Sequence, residues 1–573
     1  MNQQPRSRRA AARGSIADLI WQRAADTPDA VAVIDGTGAA TTYRELTRQA
    51  DTIAGELAAA GADEVVGVCW PRSVDGLVRF LGVWRAGAAV LYLDPDWPVA
   101  RLQYMAAACA VRQILQPEPT LHLPAPQSVA VLPPPVTGAL CYVVFTSGST
   151  GIPKGVLIEQ PGVTAMATAL AERLDVIAGT RVLQFAAWSW DAAMAEILMT
   201  LTAGATLVLA PAMTRHGGPA LAGLLREHRV DVVTLTPSVL AATPADDLPD
   251  LRTVVAVGEP VHPHLVTRWA GPNRQLLNGY GPTEATVAVT IAELHPGEEV
   301  HIGTPLPGVT VRIVDEHGRP RPAGATGEIL VGGLGVARGY TGSPAATEAR
   351  FSTDKAGHRW YHTGDLAAWR PDGTLTYLGR TDDQIKLRGH RLTLGEVEHV
   401  VAAHPAVRGC AVVAVADRLT AFVVADPDHD TGLAETDLAA AVRGHAAALL
   451  PPFATPHVRL VTALPLTAGG KTDHETLRAH AADQDPTSDR HSADGSLPVT
   501  LAVVAAVLDQ PVHADTDVID AGGHSLLVAQ LSVALSEALG VEVPYVTVAL
   551  NRTPAGIAAA IDNLTRHAAG NAA

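Results

Sequence analysis

A chain of 573 residues is longer than one hydrophobic core usually supports, and an apolar content of 47% is enough to fill several. The net charge of −16 excludes a general nucleic-acid binder, which needs clustered Lys and Arg to track phosphates. No apolar run is long enough to span a membrane, and the four scattered cysteines (Cys69, Cys109, Cys141, Cys410), with no CxxC pair, make neither a disulfide framework nor a thiolate metal site and fit a reducing cytoplasm.

The only basic cluster, Arg6 to Arg13, lies in a small-residue tail. No apolar segment follows it as a secretory signal requires, so residues 1–14 read as a disordered extension. From about Ser15 to Arg380, strand-like runs such as Ala30–Ile34, Thr206–Leu209 and Val232–Leu235 alternate with alanine-rich helical segments such as Tyr43–Ala60. That alternation predicts a large α/β body. Inside it, Ala139–Phe145 reads as a buried strand leading into Thr146-Ser147-Gly148-Ser149-Thr150-Gly151-Ile152-Pro153-Lys154-Gly155. Glycines there let backbone N–H groups approach an anion that Lys154 helps to neutralise, the chemistry of a phosphate cradle. It is not a Walker A loop, because proline precedes Lys154 where that motif has glycine. Lysine is scarce, four residues against thirty-eight arginines, and Lys154, Lys386 and Lys471 all fall in candidate functional motifs.

After Arg380 the pattern changes to a charged segment, a helix near Leu394–Ala403, strands at Val407–Val415 and Leu419–Ala425, and a helix near Thr436–Leu450, a small α+β domain. The stretch His474–Ser496, rich in Asp, His, Ser and Ala, reads as a linker, centred on 479–496. Helical periodicity at Leu497–Leu508, Ser525–Leu539 and Thr553–Leu564 predicts a small bundle. Two patterns are decoys. Asp426–Gly432 imitates a calcium loop with its glycine one place late, and Asp520, His524 and Ser525 lack the GxSxG frame of a hydrolase.

Read in order, Thr42-Tyr43-Arg44-Glu45-Leu46, Arg85–Pro95, the phosphate loop, Asn278-Gly279-Tyr280-Gly281-Pro282-Thr283-Glu284, Gly327–Gly333, Tyr361-His362-Thr363-Gly364-Asp365-Leu366 and Gly379–Gly389 form a series. It closely resembles the adenylation domains of nonribosomal peptide synthetases, members of the adenylate-forming superfamily with acyl-CoA synthetases and luciferases. The resemblance covers nearly all of residues 15–478. Asp517–Leu527 in turn resembles the attachment motif of peptidyl carrier domains. The implied fold is a large α/β N-terminal body (15–380), a small α+β C-terminal subdomain (381–478) and an all-α four-helix carrier bundle (497–568).

The resemblance implies roles residue by residue. Thr146, Ser147, Gly148, Ser149, Thr150, Gly151 and Lys154 would hold the β- and γ-phosphates of ATP. Asn278, Gly279 and Tyr280 would line the adenine site, Thr283 would face the α-phosphate and Glu284 would ligate Mg²⁺. Asp365 would take the ribose hydroxyls with Tyr377 and Arg380. Lys471, in Leu466–Asp473, matches the catalytic lysine, an ammonium set against charge developing at the α-phosphorus. Asp382 matches a hinge about which the small domain rotates, bringing the Lys386–Arg391 region toward the active site. Asp191 would pair with a substrate α-ammonium. Ala192, Ala195, Thr234, Val255, Val257, Gly279, Val287 and Ala288 would form a side-chain pocket whose small, apolar lining suits an aromatic or large aliphatic residue. Ser525 would carry a 4′-phosphopantetheine arm.

The expectation is therefore a freestanding adenylation–carrier didomain, with no HHxxxDG condensation signature and no thioesterase elbow. It would use ATP, Mg²⁺ and 4′-phosphopantetheine. Its partners would be an amino-acid substrate, a phosphopantetheinyl transferase, a downstream tailoring enzyme or synthetase, and in some systems an MbtH-like helper. Competing readings are a CoA or aryl-acid ligase fused to a carrier, and a noncatalytic binding module.

Overall fold

The computed structural model describes residues 14–57, 63–118, 121, 133–146, 153–211, 214, 217–381, 384–387, 390–415, 418–426, 435–465, 472–482, 497–508, 510, 512–519, 521, 525–539, 543 and 545–561. The chain divides into two compact units. The first comprises residues up to 215, 223–240 and 245–393; the second comprises the remainder.

Four sheets build the first unit among the described residues, the smallest an antiparallel pair of Gln384–Leu387 with His390–Thr393. The largest has nine strands in the order Thr304–Pro305, Thr290–Leu294, Gln275–Tyr280, Thr253–Val257, Val232–Leu235, Arg181–Gln184, Thr206–Leu209, Val31–Ile34 and Ala40–Thr42. A six-stranded sheet runs Gly339–Tyr340, Lys154–Glu159, Leu140–Thr146, Ala89–Tyr92, Val65–Val68 and Ile114–Leu115. The third, antiparallel, carries Val309–Val314, Gly327–Gly333, Arg359–Trp369 and Phe351–Thr353, with Leu375–Arg380 paired to Arg359–Trp369. Val65–Val68, Ala89–Tyr92 and Thr206–Leu209 are buried at every position. Unbroken apolar runs of this kind are what a parallel strand covered on both faces requires.

Local rules explain several motifs. Thr42-Tyr43-Arg44-Glu45 is a capping box: the Thr42 side chain accepts the Glu45 N–H at 3.2 Å and Glu45 accepts the Thr42 N–H at 3.0 Å. The next residue ties that helix to the core, since the buried Tyr43 hydroxyl donates to the Ala205 carbonyl at 2.8 Å. The Ala139–Phe145 strand expected from sequence runs as Leu140–Thr146 and turns back antiparallel into Lys154–Glu159.

In the second unit, Val407–Val415, Arg418–Ala425 and His457–Leu460 form a three-stranded sheet accompanied by the helices Leu394–Ala402 and Glu435–Ala447. The start of the expected linker is instead helical over His474–Ala482. Asp473 accepts the Thr476 N–H at 3.1 Å, and Leu477, 1% exposed, packs with Ala411, Val413 and Phe422. A cap and one core leucine decide a segment whose composition looked polar. Residues 483–496, like the 1–13 tail and the calcium-loop decoy after Asp426, lie outside the described residues. The C-terminal portion contains four described helices, Leu497–Leu508, Ser525–Leu539, Tyr545–Leu550 and 554–561, around Val504, Leu508, Leu531, Leu535 and Ile557.

Among the described residues no helix is long and apolar enough to cross a membrane. The four cysteines are free, and burial pushes the Cys410 thiol up to about 11.

Candidate active site

The strands on either side of the expected phosphate loop are antiparallel neighbours, with Thr146 directly opposite Lys154. Ser147, Gly148, Ser149, Thr150 and Gly151 lie outside the described residues. Gly155 has no room for a side chain, because a Cβ would run into Thr341 and Phe145. There the Thr341 N–H donates to the Gly155 carbonyl at 2.8 Å, pinning the foot of the loop. The Lys154 ammonium sits 5.5 Å from the centroid of the Tyr340 ring.

Asn278, Gly279 and Tyr280 end the strand Gln275–Tyr280, flanked by Thr253–Val257 on one side and Thr290–Leu294 on the other. Asn278 Nδ2 donates to the His301 carbonyl at 2.9 Å. Tyr280 reaches further: its hydroxyl donates to Asp365 Oδ2 at 2.7 Å. Asp365, 3% exposed, also receives the Tyr377 hydroxyl at 3.2 Å and Arg380 Nη1 at 2.6 Å on Oδ1. Arg380 Nη2 donates in turn to the Thr363 carbonyl at 3.1 Å. Burial, and then the Asp365 charge, push the Tyr280 phenol far above its usual range, which keeps it a donor. A buried carboxylate held by two phenols and a guanidinium has a fixed orientation, as a ribose-binding carboxylate needs.

Thr283 and Glu284 lie in the short 3₁₀ turn Thr283–Ala285. Glu284 is 2% exposed, and its Oε1 accepts the Tyr340 hydroxyl at 2.7 Å. One buried carboxylate beside a phosphate loop is a donor set that suits Mg²⁺, which takes one or two carboxylates and completes its shell with phosphate oxygens and water. Just beyond, Thr286 and Val287 both adopt left-handed backbone, φ 58° and 67°. A β-branched residue there is strained, and the turn is held by Thr286 Oγ1 donating to the Gly335 carbonyl at 2.6 Å.

On the acyl side, Asp191 occupies the N-cap position of the helix Ala192–Ala203, 4% exposed, yet makes no capping hydrogen bond. The simple capping explanation of this aspartate therefore fails. Ala192, Ala195 and Val255 join one core cluster, with Val257, Val287 and Ala288 packed against it. Thr234 pairs with Val255 across the sheet, Val257 pairs with Gly279, and a Cβ on Gly279 would meet Val257 at 2.9 Å. The pocket positions inferred from sequence thus come from one helix, three adjacent strands and one strained turn.

Residues 20–341 match the family model for AMP-binding enzymes, residues 396–471 the AMP-binding enzyme C-terminal domain, and residues 499–561 the phosphopantetheine attachment site. The chain belongs to the AMP-binding enzymes. Novobiocin biosynthesis protein H of Streptomyces niveus is 38% identical to this AMP-binding enzyme over 496 residues, 80% of this chain and 81% of that protein. A probable non-canonical nonribosomal peptide synthetase of Salinispora arenicola, CymA, is 39% identical over 544 residues, 92% of this chain. The chain spans only 7% of the length of that synthetase. Among solved structures, an NRPS protein containing adenylation and PCP domains, in its holo form bound to a vinylsulfonamide inhibitor, aligns with a TM-score of 0.79 at 27% identity, covering 96% of each chain.

The large body, C-terminal subdomain and carrier unit expected from sequence are therefore all present in this AMP-binding enzyme, and its modules imply ATP, Mg²⁺ and 4′-phosphopantetheine as cofactors. Lys471 and Asp382 fall outside the described residues, and Ser525 is described only as the first residue of its helix. Sequence reading missed the clasp behind Asp191. Glu196, 1% exposed, accepts Gln184 Nε2 at 2.9 Å and the Phe185 and Ala186 N–H groups at 3.1 Å. Arg72 Nη1 donates to the Phe185 carbonyl at 2.8 Å. These bonds fix the loop that ends at Asp191. Burial pushes the Glu196 carboxyl up to about 8, opposed by its hydrogen-bond donors and by Arg72. Nothing in the order of residues signals this clasp, because Arg72 and Gln184 are 112 positions apart.

Proposed function

We propose that this chain activates an amino acid with ATP as its aminoacyl adenylate and then transfers the acyl group to the arm on its own Ser525. The observation that carries this reading is the succession, within residues 20–561, of an AMP-binding body, its C-terminal domain and a phosphopantetheine attachment unit. In the first step a carboxylate oxygen of the amino acid attacks the α-phosphorus and pyrophosphate leaves. Lys471 supplies positive charge to the entering oxygen, and Thr283 faces the α-phosphate. Glu284 holds Mg²⁺, Asp365 takes the ribose hydroxyls, and Thr146 and Lys154 attend the outer phosphates. Once attached to Ser525, the phosphopantetheine arm supplies the thiol acceptor, and AMP leaves. Asp382 serves as the hinge between the two steps. A phosphopantetheinyl transferase must prime Ser525, and the charged carrier hands its cargo to a tailoring enzyme or synthetase, with an MbtH-like protein as an accessory, in the cytoplasm.

The substrate is an α-amino acid with an aromatic or large hydrophobic side chain. A buried carboxylate at Asp191 suits an ammonium, and a lining of alanine, valine and glycine leaves volume without a countercharge. Thr234 is available for one polar contact.

The test is ATP–pyrophosphate exchange across a panel containing tyrosine, phenylalanine, tryptophan, leucine and aryl acids. An aromatic amino acid is expected to give the strongest exchange. Asp191→Asn is expected to raise KM for that amino acid on the order of 30-fold, about 2 kcal/mol for a buried charge left without its partner. Activation of the corresponding acid lacking the amino group should be unaffected. Equal KM values for wild type and variant would remove Asp191 from ammonium binding and favour the aryl-acid or CoA-ligase reading.

A further inference from the structure

Tyr340 has no role in the assignment above, yet it touches two of the groups that have one. Its backbone is fixed on every side. The strand Gly339–Tyr340 lies antiparallel to Lys154–Glu159 with Tyr340 opposite Val156, and the Tyr340 N–H donates to Thr347 Oγ1 at 3.0 Å. Two residues upstream, Arg338 is 1% exposed and joined to Glu159 at 2.8 Å and Asp63 at 2.9 Å. The Tyr340 ring is 4% exposed and packs edge-on against Phe351 at 5.5 Å. A side chain so confined holds its hydroxyl on Glu284 Oε1, at 2.7 Å. The ring lies 5.5 Å from the Lys154 ammonium at the foot of the phosphate loop.

We propose that Tyr340 is a positioning residue that orients the Glu284 carboxylate for the divalent cation accompanying ATP and links that orientation to Lys154; this rests on the reading of Glu284 as the cation's ligand. An ionised carboxylate has about four lone-pair sites, so accepting the Tyr340 hydrogen bond is compatible with ligation and helps set the plane of the carboxylate. Groups that orient metal ligands in this way tune affinity by about 10- to 100-fold. The ring contributes separately, as a face toward the Lys154 charge.

The experiment is equilibrium binding of ATP to the full chain by calorimetry, with excess Mg²⁺ and with EDTA. Tyr340→Phe keeps the ring and removes the hydroxyl. It is expected to weaken MgATP binding about tenfold and to raise about tenfold the Mg²⁺ concentration giving half of the metal-dependent gain, while ATP affinity in EDTA stays at the wild-type value. Tyr340→Leu, which also removes the ring, is expected to lose affinity in EDTA as well. A purely structural role would lower affinity equally in both media, and that result, or unchanged MgATP binding by Tyr340→Phe, overturns the inference. Glu284→Gln separates the two layers. If it loses the Mg²⁺ dependence and Tyr340→Phe keeps it, the Tyr340 inference alone is wrong; if Glu284→Gln keeps the dependence, the ligand reading and this inference fall together.

Discussion

Replacing Ser525 with alanine is expected to abolish covalent loading of the chain while leaving amino-acid-dependent ATP–pyrophosphate exchange at the wild-type rate. In the proposed reaction the serine hydroxyl is the attachment point for the phosphopantetheine arm, and no neighbouring group could replace it: Gly522 and Gly523 have no side chain, and His524 does not form the same phosphodiester. Adenylate formation in the proposed reaction belongs to the AMP-binding body and its C-terminal domain, at 20–341 and 396–471. Intact-mass measurement after treatment with a phosphopantetheinyl transferase, coenzyme A, ATP and the amino acid reads loading directly. Wild type should gain the arm and then the acyl group, and Ser525→Ala neither. Undiminished loading of the alanine variant would overturn the didomain mechanism, whereas parallel loss of exchange would mean that the substitution disturbs more than the acceptor.

Substituting Arg338 with methionine is expected to destabilise the first unit by about 3–5 kcal/mol, the cost of leaving buried charge unpaired. Its guanidinium spans Glu159 and Asp63, donates Nη2 to the Gly138 carbonyl at 2.9 Å, and is 1% exposed. Glu159 also accepts the Val136 and Thr137 N–H groups at 2.8 and 2.6 Å, and Asp63 accepts the Leu140 N–H at 2.8 Å. Burial raises both carboxyls, but hydrogen bonds to these carboxylates outweigh it, aided at Asp63 by the Arg338 charge, and hold both below the usual carboxylate range. The sign follows. A lowered folded value contributes stability at pH above the ordinary carboxylate range of about 4, and that contribution disappears as pH falls through the lowered value. The gap between wild type and Arg338→Met should therefore be full at pH 7 and shrink below about pH 4. All nine tryptophans, Trp21 through Trp369, lie in the first unit, so tryptophan fluorescence during urea unfolding reports on it alone. Equal midpoints for the two proteins at pH 7 would show that the cluster is not stabilising.

Much of this molecule was legible before any coordinates. Strand-like apolar runs at Ala30–Ile34, Thr206–Leu209 and Val232–Leu235 correspond to the strands Val31–Ile34, Thr206–Leu209 and Val232–Leu235, because a largely buried strand leaves a nearly continuous hydrophobic stretch. The family was legible because phosphate, ribose and metal binding restrict residue types within short motifs, and the ordered series of those motifs is what resembles the family. The polar segment His474–Ala482 was misread as linker, since its helix depends on Asp473 as a cap and on Leu477 meeting a sheet that composition does not reveal.

The amino-acid sequence by itself determined the family and nominated the residues proposed to carry the chemistry: Glu284, Asp365, Asp191, Lys154, Lys471 and Ser525 stand out by their neighbours alone. Only the tertiary structure decided what holds those in the first unit in place. Asp365 is fixed by Tyr280 and Arg380, residues 85 and 15 positions away, and Glu284 by Tyr340, 56 positions away. The Asp191 loop depends on an arginine 112 positions before Gln184. Reactive groups are conspicuous because their chemistry restricts residue type at short range. Their supports are not, because a hydrogen bond between distant residues depends on where the sheets bring two strands together and leaves no trace in the spacing between them.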